Sequence, residues 1–409
     1  MKSLLVVMLF LFCTVAGAQE IVWEKIFKPQ EPGASLGVDV MRTVDGGFLA
    51  VGESSNGVGS PTTIYLVQTD GAGEVLWSKL LTGIDSTFAT ALFPAANDGF
   101  YIVGSTRRGN TPGDSTLHPW VARFDTWGGL LWQRTRATGR VNGAARTGDG
   151  GFILTGSDNA GVMLMKLDSL GGFVWGNNIH HSTWSTGASV RETSDGGYII
   201  VGTAVSSPTP DANVLLIRTN SVGDSLWAGA YMEKFVSWDE GYCVEEVAGG
   251  FVFAGVERDN GAADRFGRLF MAGIGMQGEV RWYRSLPLYV RGADSLSIND
   301  PHMSMKVDGE HLVISGASGP DLTMPFLMKV ASNGVIDWQK MLGGLIFSQS
   351  VASSFRPLPD GGFIVTGTKM GQLLLTRLSK PTTTSAVEDE EALPEKMDLS
   401  RVDSPIRHQ

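Results

Sequence analysis

The sequence predicts an all-β fold, a seven-bladed β-propeller of four-stranded antiparallel blades, on three observations. First, Gly52, Gly104, Gly156, Gly202, Gly255, Gly316 and Gly367 each stand four residues after Phe48, Phe100, Phe152, Tyr198, Phe251, Leu312 or Phe363, at intervals near fifty residues. Second, Trp23, Trp77, Trp132, Trp175, Trp227, Trp282 and Trp338 follow turns at the same period. Third, the two markers are out of phase at the chain ends: Trp23 precedes the first glycine, and no tryptophan follows the last. Short β-type runs between Gly and Asp turns at this period mark a propeller and not a helical solenoid.

From the N-terminus, residues 1–18 read as an export signal. Lys2 gives the positive start, residues 4–15 the apolar stretch and Ala16-Gly17-Ala18 the cleavage site, with cleavage expected before Gln19. Lipidation of Cys13 is the rival, disfavoured by Phe10 and Phe12 where such a signal needs small or branched residues.

The first full unit shows the plan of a blade. Residues 37–43 form an inner strand, Asp45-Gly46-Gly47 turns, residues 48–52 return, residues 64–69 make a third strand, Asp70-Gly71-Ala72-Gly73 turns, and residues 74–80 carry Trp77 on the fourth. Asp bonds its own backbone two residues on and Gly accepts positive φ, so both turns have the chemistry of chain reversal. The second turn recurs with fixed internal spacing: Asp70, Asp125, Asp168, Asn220, Gly275 and Ala331 stand seven residues before each Trp. One carboxylate per turn falls short of the six to eight oxygens that calcium takes, so the ladder is structural. Arg123, Lys166, Arg218, Lys329 and Arg377, two places before the turn on strand three, are expected to face water or a neighbouring turn.

Six blades are complete in sequence and the seventh lacks its fourth strand. Residues 21–27 have the missing strand's pattern, so they are expected to pair beside residues 373–378 and seal the ring, leaving no open edge. The propeller then spans residues 19–379, and each Trp is expected between adjacent sheets.

Composition sets outer limits on function. The chain of 409 residues carries a formal charge of −10, which argues against nucleic acid or anionic lipid as general partners, since both call for clustered Lys and Arg. No stretch after the leader has the apolar length of a membrane helix. Only Cys243 remains after cleavage, so no internal disulfide is possible, and it reads as a small buried hydrophobe. No G-x-S-x-G elbow, P-loop or H-E-x-x-H motif appears.

The motif of Asp149-Gly150-Gly151-Phe152, Asp195-Gly196-Gly197-Tyr198 and Asp360-Gly361-Gly362-Phe363, paired with the D-x-x-G-x-x-x-W hairpin, resembles that of secreted β-propeller repeat proteins common in Bacteroidetes-like bacteria. That resemblance implies the fold and export. More distantly the Trp hairpin resembles that of quinoprotein-type propellers, which include dehydrogenases with eight blades and periplasmic assembly scaffolds. Residues 380–409 leave the repeat as a polar linker and an acidic run, Glu388 to Glu391, expected to be disordered.

Both tight turns fall at one end of every blade, so the variable loops collect at the other, and loops carry function on a rigid scaffold. Candidates there are Arg107, Arg108, His118, Trp184 and Trp238 for ligand binding, the two tryptophans as a sugar-stacking surface. His180-His181 as metal ligands is set aside, because adjacent side chains on extended backbone point apart. The expected function is an exported, monomeric, non-enzymatic propeller that binds a protein or carbohydrate partner at the loop-rich face without a cofactor or metal. The alternatives are a carbohydrate-active hydrolase or lyase using Asp239, Glu240, Asp259, Asp294 and Asp300, and a periplasmic assembly scaffold.

Overall fold

A computed structural model describes residues 20–29, 33–55, 61–81, 86–95, 99–107, 116–136, 138–159, 161–206, 211–231, 238–258, 266–291, 303–318, 324–342 and 350–381. Their strands form seven four-stranded antiparallel sheets, each ordered from the channel outward. In blade 1 the strands are Ala34–Arg42, Phe48–Ser55, Thr63–Thr69 and Val75–Leu80. The inner strand therefore begins at Ala34, three residues before the expected Gly37, and the other boundaries agree within three residues. The export signal, Cys13 and the tail from 382 onward lie outside the described residues.

The ring closes as the phase of the markers predicts. Ile21–Phe27 pairs antiparallel with Gln372–Leu378, placing Trp23 opposite Arg377 and Lys25 opposite Leu375. Outside the ladder, Glu20 N donates to Ser379 Oγ at 2.9 Å, Ser379 N donates to Glu20 O at 2.9 Å, and Lys369 pairs with Glu24. Blade 7 thus joins both ends of the chain, which removes the free edge of a three-stranded sheet.

The turns do what their residue types dictate. Asp70 Oδ1 accepts from Ala72 N at 2.9 Å and Glu74 N at 2.8 Å, and Asn220 Oδ1 accepts from Val222 N and Asp224 N in the same way. A neutral amide replaces the carboxylate without loss of geometry, so hydrogen bonding is the ladder's role. In the D-G-G turns, Asp149 Oδ1 accepts from Thr147 Oγ1 at 2.6 Å and Gly151 N at 2.9 Å.

The strand-three cations have a definite partner. Lys166, Arg218, Lys329 and Arg377 pair with Asp149, Asp195, Asp308 and Asp360, the first turn of the same blade in each case. Arg377 also reaches a neighbouring turn, its Nη1 donating to Gly71 O of blade 1 at 3.2 Å, and Arg123 lies over the Tyr101 ring at 5.8 Å.

Packing lies between blades. Leu49, Val51 and Leu66 of blade 1 share a buried cluster with Ile102, Trp120 and Phe124 of blade 2, and equivalent clusters repeat around the ring. Six of the strand-two glycines, all but Gly316, sit opposite a β-bulge in the inner strand. At Gly104 the register shifts between Ala89 and Ala91, and a Cβ would overlap the Phe88 carbonyl oxygen.

The repeat tryptophans lie between adjacent sheets, on the outermost strands. Trp227 is buried, but the other six are half-buried. From there each of Trp23, Trp77, Trp132, Trp175, Trp227 and Trp282 covers the hairpin glycine of the next blade. Their ring atoms lie within 3.6 Å of where a Cβ would stand on Gly73, Gly128, Gly171, Gly223, Gly278 and Gly334 respectively. Trp338 instead meets Phe363 edge-on at 5.9 Å, because no hairpin joins the third strand of blade 7 to its fourth, which comes from the other end of the chain.

Candidate functional site

The inner strands surround a central cavity of about 900 Å³. Each inner strand runs from the loop-rich end to the D-G-G turn, so position along it is depth in the channel. Leu36, Phe88, Leu117 and Arg140 line the loop-rich mouth, while Arg191, Glu245, Lys306 and Arg356 line the turn end.

One register position explains the turn end. In every blade the inner-strand residue opposite the one after the strand-two aromatic or Leu312 occupies the same level: Met41, Phe93, Ala145, Arg191, Glu245, Lys306 and Arg356. Blades 1 to 3 make this ring apolar and blades 4 to 7 make it charged.

The charges are organised across blades. Arg191 Nε pairs with Glu245 at 2.7 Å, and its guanidinium also donates to Val190 O at 2.8 Å and Met305 O at 3.4 Å. Arg356 Nη2 pairs at 2.8 Å with Asp39, which also accepts from Ser354 Oγ at 2.7 Å and from Leu92 N and Val40 N at 2.9 Å. Burial alone would raise the Asp39 pKa, but Arg356, Lys306 and the hydrogen bonds outweigh it and hold the carboxyl below its ordinary value. Asp39 thereby ties blades 7, 1 and 2 together.

Lys306 differs from its neighbours. Among the described residues no hydrogen bond or ion pair engages its ammonium. Its enclosure in the channel, reinforced by Arg356 and Arg191 and only partly offset by Asp39 and Glu245, pulls its pKa down to about 7.

The residues singled out by sequence divide into three groups. Asp239 and Glu240 come together at the start of the inner strand of blade 5, buried at 1% and 6% exposure. Glu240 accepts from Trp238 Nε1 at 3.1 Å and Tyr242 OH at 2.7 Å and pairs with Arg258, while Asp239 Oδ1 accepts from Arg258 N at 3.1 Å. These acids are engaged in holding the strand entry. Arg107 and His118 lie on paired strands at the end of blade 2 but one register step apart, so their side chains take opposite faces: His118 is opposite Thr106, and Arg107 is opposite Leu117 and over the Phe88 ring at 5.6 Å. Trp184 and Trp238 open the inner strands of neighbouring blades, and no ring contact joins them among the described residues. Arg108, Asp259, Asp294 and Asp300 lie outside the described residues.

His180 is exposed, and no group of three His, Cys, Asp or Glu among the described residues is placed to hold a metal ion. Cys243 is buried, and burial pushes its thiol up to about 12, the chemistry of a packed hydrophobe. No helix among the described residues is long and apolar enough to cross a membrane.

Sequence reasoning missed Asp39, Arg191, Glu245, Lys306 and Arg356. For the last four the signal was register: aligned on the strand-two aromatics and Leu312, the inner strands show four consecutive blades with charges at one level.

No protein-family model matches this chain, and no curated protein matches its sequence. Among solved structures it is similar to a protein of unknown function from Dyadobacter fermentans DSM 18053, with 9% identity and TM-score 0.49 over 88% of this chain and 99% of that one. It is also similar to the β-propeller domain of the Trilobed protease from Pyrococcus furiosus, with 9% identity and TM-score 0.47 over 87% and 98% of the two chains. Puromycin hydrolase matches at 14% identity and TM-score 0.46, over 83% of this chain and 50% of its own. These likenesses concern the propeller fold alone.

Proposed function

We propose that this protein is an exported, monomeric, non-enzymatic propeller of the secreted bacterial D-G-G repeat type, which binds a protein or carbohydrate partner at its loop-rich face. The observation that carries the reading is the polar mouth of the channel at that face. Arg107 of blade 2 is exposed there, and Arg140 of blade 3 lines the cavity with its Nε donating to Asn142 Oδ1 at 2.9 Å. Burial lowers the Arg140 pKa, the neighbouring Arg107 lowers it further, and Glu53 of blade 1 opposes them. Two guanidiniums against one carboxylate, with Phe88 and Leu117 between them, present planar donors beside apolar surface, which suits hydroxyls or carboxylates of a partner.

The test uses the chain from Gln19 onward on a glycan array and as bait for extracellular and periplasmic proteins. The expected result is a defined ligand whose affinity falls at least tenfold in an R107A/R140A variant of unchanged melting temperature. Equal binding by that variant, or cleavage of the captured glycan, would overturn the proposal.

A further inference from the structure

The channel's electrostatics are opposite to those of the whole chain. Against a formal charge of −10 overall, the cavity lining holds Arg140, Arg146, Arg191, Lys306 and Arg356 with only Asp39, Glu53 and Glu245 as counter-charges. Arg146 is turned onto Phe152, its guanidinium carbon 4.6 Å from the ring centroid. At the turn end, Arg191 is neutralised by Glu245 and Arg356 by Asp39, which leaves Lys306 as the one surplus charge of the ring. A surplus charge enclosed by low-dielectric walls attracts a counter-ion more strongly than the same charge on an open surface.

The other side of the same level is apolar. Phe93 and Ala145 stand at the equivalent positions of blades 2 and 3, and Ala144 lines the cavity beside them. Cation and hydrocarbon therefore face one another across a space large enough for a small molecule.

We propose that the central channel binds an amphiphilic monocarboxylate, its carboxylate seated on Lys306 between Arg191 and Arg356 and its hydrocarbon body along Phe93, Ala144 and Ala145. The uncompensated charge of Lys306 selects an anionic head group, and the apolar half selects a chain or ring over a bare ion. This site is separate from the loop-rich mouth and stands or falls independently of the partner proposed there.

Binding is coupled to protonation. Lys306 is faced by Arg191, Glu245, Arg356 and Asp39, and its own ammonium changes charge near neutrality. A carboxylate beside it favours the ammonium, so binding takes up a proton and weakens as pH rises through about 7.

The experiment titrates the chain from Gln19 onward with octanoate, octan-1-ol and acetate by calorimetry at pH 6 and pH 8.5. Octanoate is expected to bind at pH 6 at least tenfold more tightly than at pH 8.5, and at least tenfold more tightly than octan-1-ol or acetate. K306M is expected to lose that affinity at pH 6, while K306R, which keeps its charge, holds it at both pH values. Absence of octanoate binding, equal binding by K306M, or equal binding of octan-1-ol would overturn the proposal. A readout on the unaltered protein covers a variant that fails to fold: the Lys306 ¹³Cε titration midpoint must rise when octanoate saturates, and an unmoved midpoint counts equally against the site.

Discussion

In four blades the aspartate of the first turn carries a charge that a turn alone does not require. Asn220 shows that an amide serves a neighbouring hairpin, yet Asp149, Asp195, Asp308 and Asp360 all keep a carboxylate opposite a strand-three cation. For Asp195 the Thr193 hydroxyl contributes most, followed by Arg218 and Gly197 N, and together they overcome burial to bring its pKa down to about 2. A depressed carboxylate pKa stabilises the fold fully above the unfolded value, about 3.9, and that contribution is lost as pH falls through the folded value. The melting temperature of the native protein is therefore expected to drop more steeply between pH 4 and pH 2 than that of Asp195→Asn. Thermal melts across that window check it, and parallel curves would remove the ion pair from the account. Because the carboxylates of Asp149, Asp195 and Asp360 are over half exposed, the contribution of each of those pairs is small.

At the scale of the element, the unit of cohesion is a tryptophan laid on the next blade's hairpin. Trp175 rests on Gly223, which has φ of +85° and no Cβ to obstruct the ring, and meets Tyr198 edge-on at 5.7 Å. Half-burial sets the cost of Trp175→Ala near the low end for buried aromatics, about 3 kcal/mol. Gly223→Ala is expected to be destabilising too, by about 1 to 2 kcal/mol from left-handed strain alone, with the ring overlap in addition. Denaturant melts of the two single variants and the double variant test this. The double variant should cost less than the sum of the singles, because both act on one contact, and simple additivity would refute it. The spacing of this hairpin was fully legible in sequence. The depth of the tryptophan was not, since a repeat reports which residues recur and not how much of the outermost strand its neighbour covers.

At the scale of the whole molecule, closure depends on seven residues at the chain's beginning. Removing residues 19–29 strips the cover from Gln372–Leu378 and exposes its unpaired edge, so the truncated protein is expected to melt lower and self-associate. A permuted chain that starts at Gly33 and carries residues 20–29 behind Ser379 through a short linker is expected to melt within a few degrees of the native protein. Scanning fluorimetry and size-exclusion chromatography distinguish the two. A truncated form as stable and monomeric as the native one would mean that the strand is dispensable.

The sequence by itself determined the number of blades, the strand order within each, the chemistry of both turns and the pairing of the two chain ends. It could do so because each depends on local hydrogen bonding and on a spacing repeated seven times. Only the tertiary structure decided which polar residues share a site. Asp39 and Arg356 are 317 positions apart yet paired, and Arg191, Glu245, Lys306 and Arg356 belong to four different blades. They meet because ring closure brings one register level of seven inner strands around a common axis, a convergence that no linear spacing encodes.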